Sequence, residues 1–340
     1  MKIEKDVDIT NLNTLGVKTK ASFFMKIEND EDLGQLFNSK EFKENKKVFL
    51  GGGSNILFTK DFDGIVILNK LKGISILDSK SSLGGDIFVR SMSGVVWHDL
   101  VNFTTSRDLW GIENLALIPG TVGGAPVQNI GAYGVEMKDS LCTVEAYDIE
   151  DGSKKVFKTE ECGFGYRDSI FKSKFKGKYF IYAITIKLTK KPRPNISYKI
   201  LSDYIKEHNI KISNSKDVAL AVENIRRSKL PDPAILGNAG SFFKNVFVDE
   251  EQLQELMVLH SGIKYFTEGN AIKIPAAWLI EQCGWKGKKM GRVGVHEKHA
   301  LIIVNYGGAT GKEVEALANQ ITESVFLKFN LKLIPEVNFI

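Results

Sequence analysis

A single hydroxyl group, that of Ser241, occupies a setting in which it could donate a proton to a substrate. The stretch GNAGSFFKN, at residues 237–245, places it after a glycine and before two phenylalanines, with a lysine and an asparagine just beyond. Glycine lets the backbone approach a ligand closely, and aromatic bulk keeps water from a reacting centre. A β-turn that leads into a buried strand is the alternative interpretation, because turns also favour glycine and serine. The choice between the two depends on what the remaining chain can bind.

Two glycine-rich segments could hold a phosphorylated cofactor. Residues 51–55 read GGGSN, and residues 118–134 read IPGTVGGAPVQNIGAYG. Glycines let backbone N–H groups approach a phosphate without interference from a Cβ atom. No helix is predicted after the first segment and it lacks the GxGxxG spacing, which excludes a Rossmann dinucleotide site and a P-loop. Taken alone, GGGSN is also compatible with a tight turn.

The second glycine segment differs from an ordinary loop in its polarity. It contains five glycines among apolar residues and carries no charged side chain. A solvent-exposed loop would be polar, so this one is expected to lie against a flat, apolar group. One loop suited to a pyrophosphate and another suited to a ring system together predict a dinucleotide with an isoalloxazine ring. The sequence therefore predicts FAD bound outside a Rossmann frame.

The spacing of apolar residues predicts the elements that position these loops. Strand-like runs dominate the first two thirds of the chain, and helical spacing dominates from about residue 216. Strands are expected at 47–51, 64–69, 86–96, 143–149, 179–188 and 331–340, and helices at 97–109, 216–230, 249–260, 275–285 and 311–329. Strands and helices without a regular βαβ alternation favour an α+β fold over a doubly wound α/β fold.

Local signals mark a boundary and a helix start. PRPN at 192–195 and LPDP at 230–233 are the clearest breaks, so a domain boundary is expected near residues 190–235. Asp249 and Gln252 have the spacing of a capping box at the start of a helix. The last third is therefore expected to form a distinct and more helical lobe.

Length, composition and charge limit the classes of function. The chain has 340 residues, 43% hydrophobic and 26% charged, as in a soluble protein of two or three domains. The net charge of +5 is modest and the lysines are scattered, so we expect no nucleic-acid surface, and an anionic small substrate fits the balance. No apolar stretch has the length of a membrane helix, and the N-terminal MKIEKDVDIT lacks the apolar region of a secretory signal.

Cysteine and histidine usage argues against disulfide and metal sites. Cys142, Cys162 and Cys283 are odd in number and widely spaced, which predicts a reducing, cytoplasmic location rather than a disulfide framework or zinc cluster. His296 and His299 have no carboxylate or cysteine at ligand spacing. We therefore expect no metal site.

Seven spaced segments resemble one known family. In chain order they are NTLGV (13–17), VFLGGGSNIL (48–57), ENLALIPGTVGGAPVQNIGAYGVE (113–136), GYRDSIFK (165–172), KLPDP (229–233), GNAGSFFKN (237–245) and PEVNFI (335–340). They resemble the UDP-N-acetylenolpyruvoylglucosamine reductase family of peptidoglycan precursor synthesis over nearly the whole chain. ISYKILSDYI at 196–205 resembles the substrate-covering tyrosine loop of its type I form. Two departures, Val246 in place of a proline and ECGF before GYRDS, touch no reacting group.

The resemblance implies a fold and a domain organisation. It implies an α+β FAD-binding body of the non-Rossmann, vanillyl-alcohol-oxidase-like type, with a first subdomain at 1–75 and a second at 76–225. A C-terminal α+β substrate lobe would comprise residues 226–340, with its final strand returning to the flavin cleft. We further expect a monomer without nucleic-acid or membrane partners.

A reaction and its catalytic residues are implied as well. NADPH reduces non-covalent FAD, and the flavin N5 gives a hydride to the β-carbon of the enolpyruvyl group of the UDP-sugar, which yields UDP-N-acetylmuramate. Charge collects on the adjacent carbon and its carboxylate, so donors are needed there, together with a proton source above the carbon. By resemblance, Arg167 and Glu336 stabilise this enolate and Ser241 delivers the proton. Glu336 would help only if protonated or bridged, because a bare carboxylate would repel the intermediate.

The resemblance finally assigns binding residues. Backbone amides of the first glycine loop should hold the FAD pyrophosphate, at Gly51, Gly52, Gly53, Ser54 and Asn55. The second loop should lie along the flavin and ribityl chain, through Gly120, Thr121, Gly123, Gly124 and Gly131. The implied substrate contacts are Tyr166, Tyr198, Lys229, Asn245, Lys286 and His299.

Alternatives remain for some of the residue roles and for the function of the protein. Tyr166 is compatible with a partly buried core position, and Arg226 and Arg227 with a solvated helix face. A sugar or hydroxy-acid oxidase on the same frame would commonly tether FAD through a histidine in the first glycine loop, and GGGSN has none. A nucleotide-sugar sensor would not need an arginine, a serine and a glutamate together at one site. A yellow protein whose colour is released by acid would exclude the sensor.

Overall fold

The computed structural model describes residues 2–77, 85–268 and 271–340. The α-helices in these ranges are α1 (Asp30–Asn38), α2 (Lys40–Glu44), α3 (Trp97–Thr105), α4 (Lys199–Glu207), α5 (Ser215–Lys229), α6 (Glu250–Leu259), α7 (Ala276–Gln282) and α8 (Gly311–Phe329). The strands are β1 (Glu4–Asp8), β2 (Lys20–Ile27), β3 (Lys47–Leu50), β4 (Ile56–Leu57), β5 (Phe62–Asn69), β6 (Ile74–Leu77), β7 (Asp86–Met92), β8 (Gly131–Ala132), β9 (Val135–Glu136), β10 (Leu141–Asp148), β11 (Lys154–Lys158), β12 (Tyr179–Thr189), β13 (Gly237–Asn238), β14 (Val246–Val248), β15 (Phe266–Glu268), β16 (Ala271–Ile274), β17 (Lys289–Met290), β18 (Val293–Val295), β19 (Ile303–Asn305) and β20 (Asn338–Phe339).

The chain divides into two compact units that interleave along the sequence. The first unit comprises Met1–Val7, Ala21–Gly52 and Asp63–Ser228, and the second comprises Asp8–Lys20, Gly53–Phe62 and Lys229–Ile340. The chain therefore passes from one unit to the other several times, and once within the first glycine loop. The subdivision at 1–75, 76–225 and 226–340 remains a prediction.

The first sheet of the first unit has the strand order β1-β2-β5-β3. Strands β3 and β5 run parallel, with Val48 opposite Val66. Helix α1 begins where the Asn29 side chain accepts a hydrogen bond from the backbone N–H of Asp32, and acidic residues fill its first turn. Its buried leucine Leu36 packs into the core of this sheet.

The second sheet of the first unit is antiparallel and supports the second glycine segment. Its order is β11-β10-β12-β7-β6, and β12 pairs with β10 on one side and β7 on the other. Leu100 of α3 and Val222 of α5 share one buried core with Val144 and Ile184 of the strands. The sheet and these two helices thus form a firm base for the loop between α3 and β8.

The second unit contains three small sheets and the longest helix. Strand orders are β13-β19-β18-β17 and β14-β16-β15, and β20 pairs in parallel with β4. Helix α8 contacts β18, β19 and α7. The helix begins in a capping box between Thr310 and Glu313. Among the described residues, no helix is both long and apolar enough to cross a membrane.

Most of the predicted elements are confirmed, with shifted ends. The five predicted helices correspond to α3 and α5–α8, and the capping box of Asp249 and Gln252 is present at the start of α6. The prediction for 331–340 was wrong over most of its length, because only Asn338–Phe339 forms a strand. Helices α1, α2 and α4 were missed, since each is short and buries only one or two side chains.

Candidate active site

The two glycine-rich segments meet in the first unit. A Cβ atom on Gly52 would lie 2.9 Å from the Cα of Gly120, and one on Gly51 would overlap the side chain of Thr121. Backbone atoms cannot give way, so Gly52 requires glycine, whereas a side chain at Gly51 would have to displace that of Thr121. The contact brings the predicted pyrophosphate loop against the predicted flavin loop.

Backbone hydrogen bonds hold the second glycine loop in place. The N–H of Trp97 donates to the Gly120 carbonyl at 3.0 Å, and the N–H groups of Val122 and Gly123 donate to Val95 and Ser93, both at 2.9 Å. Close packing explains one glycine, because a Cβ on Gly123 would lie 2.7 Å from the Cβ of Ser93. The loop is therefore a preorganised surface rather than a mobile one.

The remaining residues of the first glycine loop belong to the second unit. Gly53 has a φ of 62°, in the left-handed region that favours glycine, and its carbonyl accepts the N–H of Thr14 at 3.0 Å. The Asn55 amide donates to the carbonyl of Glu336 at 3.3 Å, and the Asn55 carbonyl accepts the N–H of Asn338 at 3.1 Å. The second unit thus joins this loop to the predicted catalytic strand, next to Ser54.

Gly124 differs from its neighbours because a Cβ there would meet no described atom within 4 Å. Replacing Gly124 with alanine is therefore expected to leave the fold intact. If the flavin lies along this loop, the added methyl group would crowd it, at about 1–3 kcal/mol, and FAD affinity should fall roughly tenfold or more. Calorimetric titration of the apoprotein with FAD would measure this, alongside its thermal unfolding.

Gly34, in α1, provides the matched control for this prediction. A Cβ at Gly34 also meets nothing within 4 Å. Alanine is favoured over glycine in a helix by about 0.5–1 kcal/mol, so Gly34→Ala should be neutral or stabilising and should not change FAD affinity. Equal FAD affinities for the two variants would remove Gly124 from the cofactor surface.

Arg167 is held against the second glycine segment in a strained conformation. Its φ is 52°, which is uncommon for a residue other than glycine. Its guanidinium donates to the Gly131 carbonyl at 2.8 Å, and the Asn129 amide donates to the Gly165 carbonyl at 3.2 Å. Strained residues concentrate where surrounding structure fixes a functional geometry. Arg167 is thus placed by two independent contacts beside the predicted flavin loop.

A second arginine, Arg226 of helix α5, lies near enough to Arg167 for the charge of Arg167 to affect its pKa. Its Nε donates to the Leu117 carbonyl at 3.2 Å, and its guanidinium shares a hydrogen bond with the Tyr133 hydroxyl. The ring of Tyr133 packs edge-on against Tyr198 at 5.7 Å between centroids. Burial lowers the pKa of Arg226, as does the charge of Arg167. The first unit therefore gathers two guanidinium groups and two tyrosines.

The backbone at Leu117, next to this group, is strained and is held by hydrogen bonds through both its carbonyl and its N–H. Leu117 has a φ of 56°, and its N–H donates to Nδ1 of His98 at 3.1 Å. Nε2 of His98 lies 3.6 Å from the Glu223 carboxylate. Since Nδ1 accepts a hydrogen bond, the proton of a neutral His98 is on Nε2. Sequence reasoning missed Tyr133, although it lies within the second glycine segment, and His98, which no motif marked.

Ser241 and Glu336 occupy directly paired segments of the second unit. The N–H of Phe242 donates to the Leu301 carbonyl, and the N–H of Glu336 donates to the Phe242 carbonyl, both at 2.8 Å. Gly240, just before the serine, has a φ of 69°. The predicted proton donor and the predicted carboxylate are thus brought together by backbone pairing.

The expected role of the two phenylalanines requires a correction. Phe242 and Phe243 are 0% and 1% exposed, and their rings pack edge-on at 5.2 Å, whereas Ser241 is exposed. The rings therefore anchor the loop in the core and do not cover the hydroxyl. The firm position of Ser241 follows from this anchoring, because the side chains of the two residues after it are locked in the core.

The other predicted substrate-binding residues make ordinary contacts within the protein. The side-chain oxygen Oδ1 of Asn245 accepts the N–H of Ala276 at 3.1 Å, which adds a capping role at α7, and Lys286 pairs with Glu281 at 2.8 Å. The guanidinium of Arg167 lies 5.6 Å from the ring centre of Tyr166, Lys229 ends α5, and Nδ1 of His299 accepts the N–H of Leu301 at 3.4 Å. Their substrate roles stay predictions. The described residues contain no cluster of three or more histidine, cysteine or acidic side chains that could hold a metal.

Comparison with known proteins identifies the fold and family. The FAD binding domain family matches residues 21–157, and the C-terminal domain family of UDP-N-acetylenolpyruvoylglucosamine reductase matches residues 232–340. The reductases of Flavobacterium johnsoniae and Amoebophilus asiaticus are 42% and 44% identical, each match covering 100% of both chains. The crystal structure of the reductase (MurB) from Thermus caldophilus is 25% identical with a TM-score of 0.66, covering 100% of this chain and 99% of that one.

These matches define the class of protein first. An FAD-binding domain and a whole-chain structural match make this an FAD-dependent oxidoreductase of α+β fold. At about 40% identity over the whole length, the chain belongs to the UDP-N-acetylenolpyruvoylglucosamine reductase family. The predicted family, fold class and FAD cofactor are confirmed.

The glycine loops fit that cofactor. Their close approach at Gly52 and Gly120 and the open space above Gly124 are what a bound dinucleotide requires. Bulkier residues at these positions would fill or distort the surface that the cofactor needs.

Proposed function

We propose that this protein reduces the enolpyruvyl ether of UDP-N-acetylenolpyruvoylglucosamine to the lactyl ether of UDP-N-acetylmuramate, with NADPH as hydride donor. The relatives that match the whole chain carry the name of this reductase. The observation that carries the proposal furthest is the direct pairing of the Ser241 and Glu336 segments, because the reaction needs a proton donor beside a group that stabilises charge.

The residues of this chain divide the work as follows. FAD, when bound, supplies the hydride chemistry. Arg167 binds the substrate carboxylate, where its planar fork of N–H donors opposes the charge that develops as the enolate forms. Ser241 gives its hydroxyl proton to the enolate carbon, and Glu336, protonated or bridged, stabilises the enolate together with Arg167. An enolate carbon is a strong base, so a serine hydroxyl suffices as the acid.

Several further assignments belong to the proposal. Tyr198 and Lys229 bind the phosphates of the UDP-sugar, and Asn245 lies near the sugar nucleotide. We further propose a cytoplasmic monomer. The free thiols of Cys142, Cys162 and Cys283 support a reducing compartment.

Two half-reactions on one anaerobic sample test the function. Flavin absorbance is followed first with NADPH and then with the enolpyruvyl UDP-sugar. We expect bleaching in the first step, recovery in the second, and UDP-N-acetylmuramate as the product. Reduction by NADPH without recovery on adding the sugar nucleotide would reject the substrate.

Tyr198 provides a separate prediction about substrate binding. It stands at the N-cap of α4, is 45% exposed, and contacts Tyr133 through its ring. Tyr198→Phe keeps that ring contact and removes only the hydroxyl. We expect the KM for the UDP-sugar to rise about tenfold, the value of one hydrogen bond, with flavin reduction by NADPH unchanged. An unchanged KM would show that residues 196–205 form a structural edge.

A further inference from the structure

Arg226 is a half-buried cation to which the reaction described above gives no task. It lies on α5, with Nε donating to the Leu117 carbonyl at 3.2 Å and a further hydrogen bond to the Tyr133 hydroxyl. A guanidinium has five N–H donors, so these two contacts leave most of its donor capacity for other partners. Arg226 is bonded just before the second glycine segment, at Leu117, and Arg167 is bonded within that segment, at Gly131. The remaining N–H donors of Arg226 therefore lie near the guanidinium of Arg167.

The electrostatic surroundings of Arg226 call for an anion. The charged and titratable neighbours that shift its pKa, among the described residues, are Arg167 and Tyr133, and neither is negative at neutral pH. Burial of a guanidinium beside another guanidinium is unfavourable unless a negative group joins them. Tyr133 offers a dipole but no charge, since burial raises the pKa of its hydroxyl further.

The nearest carboxylate on the same helix serves other partners. Glu223 lies 3.6 Å from Nε2 of His98 and 3.8 Å from Arg227, whose side chain is 60% exposed. Two successive arginines on α5 therefore have opposite situations. Arg227 has a carboxylate partner and faces water, whereas Arg226 is turned inward towards another cation.

We propose that Arg226 is a second guanidinium for the substrate carboxylate, acting with Arg167, and is therefore a catalytic residue. This inference rests on the proposed function, which supplies the carboxylate. Two guanidinium groups on one carboxylate hold it in a fixed plane and oppose the charge that spreads onto it as the enolate forms. Together with Tyr133, they also give a reason for the left-handed backbone at Arg167 and Tyr133, whose φ values are 52° and 49°.

A pair of ligands that differ in one carboxylate separates this role from a structural one. UDP-N-acetylmuramate carries a lactyl carboxylate, and UDP-N-acetylglucosamine lacks it. Binding of each to the oxidised holoenzyme can be measured by calorimetry and by the change in flavin absorbance. For Arg226→Gln we expect binding of UDP-N-acetylmuramate to weaken about 10–100-fold, the value of a charged hydrogen bond, with binding of UDP-N-acetylglucosamine unchanged.

Arg227→Gln is the matched control, since it makes the same change one residue away on the same helix. It should leave both affinities unchanged. Equal weakening of both ligands in Arg226→Gln would mean that Arg226 only supports Leu117, and no weakening of either would mean that it faces no ligand. Either result overturns the proposal.

A third variant distinguishes failure of this inference from failure of the proposed function. Arg167→Gln should also weaken only the ligand with the carboxylate. If it does so while Arg226→Gln does not, the proposed function stands and the role of Arg226 is rejected. If the unmodified protein binds both ligands equally, carboxylate recognition and the role of Arg226 are rejected together. Should Arg226→Gln not fold, Arg226→Lys keeps the charge, loses the planar fork, and should show the same selective loss.

Discussion

Ser241→Ala is expected to slow reoxidation of the reduced flavin by the enolpyruvyl substrate by about 10²–10⁴-fold, the contribution of a general acid. Reduction of the flavin by NADPH should remain near the unmodified rate, because the serine is needed only after the hydride has been transferred. Binding of the UDP-sugar to the oxidised enzyme should change little, since one hydroxyl is lost and the charged contacts remain. Anaerobic stopped-flow absorbance of the flavin measures both half-reactions.

The structure indicates that Ser241→Ala removes the hydroxyl without disturbing the loop. Ser241 is exposed, and the loop is held by Phe242 through its backbone and its buried ring. Alanine should therefore leave the loop in place. Ser241→Cys should recover part of the activity, because a thiol has a transferable proton at similar reach. If Ser241→Ala slows the NADPH half-reaction as much as the substrate half-reaction, the flavin geometry has been damaged and the proton-donor role is wrong.

Arg167→Lys is expected to reduce kcat/KM for the UDP-sugar by about 10²–10³-fold, the usual effect of removing one donor from a charge-stabilising site. Lysine keeps the charge but cannot bind the Gly131 carbonyl and a carboxylate at once with a planar fork. Flavin reduction by NADPH should be unaffected. Steady-state kinetics with each substrate varied in turn measure the loss.

Arg107 supplies a control for that change. It is exposed, and its guanidinium donates to the Phe103 carbonyl at 2.9 Å, a contact within four residues of the same chain segment. Arg107→Lys should leave kcat/KM within experimental error. A similar small effect for Arg167→Lys would show that charge alone, and not the fork, is what the substrate requires.

The fold was predictable wherever one long element buries a continuous apolar face. Strand β12 and helix α8 are of this kind, because eight of the eleven residues of Tyr179–Thr189 are buried and α8 buries a stripe from Val314 to Phe329. Helix α2, with only Phe42 buried, has too few apolar positions to show a period. The closing run 331–340 has strand-like composition, yet only its end finds a partner strand.

The site was predictable where backbone conformation demands a residue type. Gly52 and Gly120 must be glycine because their backbones touch, and that requirement is visible in the sequence. The separation of Arg226 from Arg227 was not predictable, since adjacent residues on a helix differ in direction by about 100° and only packing decides which is buried. The helix-capping contact of Asn245 was not predictable either, because its partner Ala276 is 31 residues away in the chain and only folding brings the two together.

The interleaving of the two units has a consequence for synthesis on the ribosome. The second unit uses Asp8–Lys20 and Gly53–Phe62, yet the Thr59 hydroxyl finds its partner in the Ile340 carbonyl, 281 residues later. At about 5–20 residues per second, those early stretches wait roughly 15 seconds to a minute for the strand that pairs with them. The first unit can begin to fold during that interval, but the second cannot close until β20 has been synthesised. A ribosome stalled before β20 should therefore carry a nascent chain whose residues 53–62 remain open to proteases and chaperones.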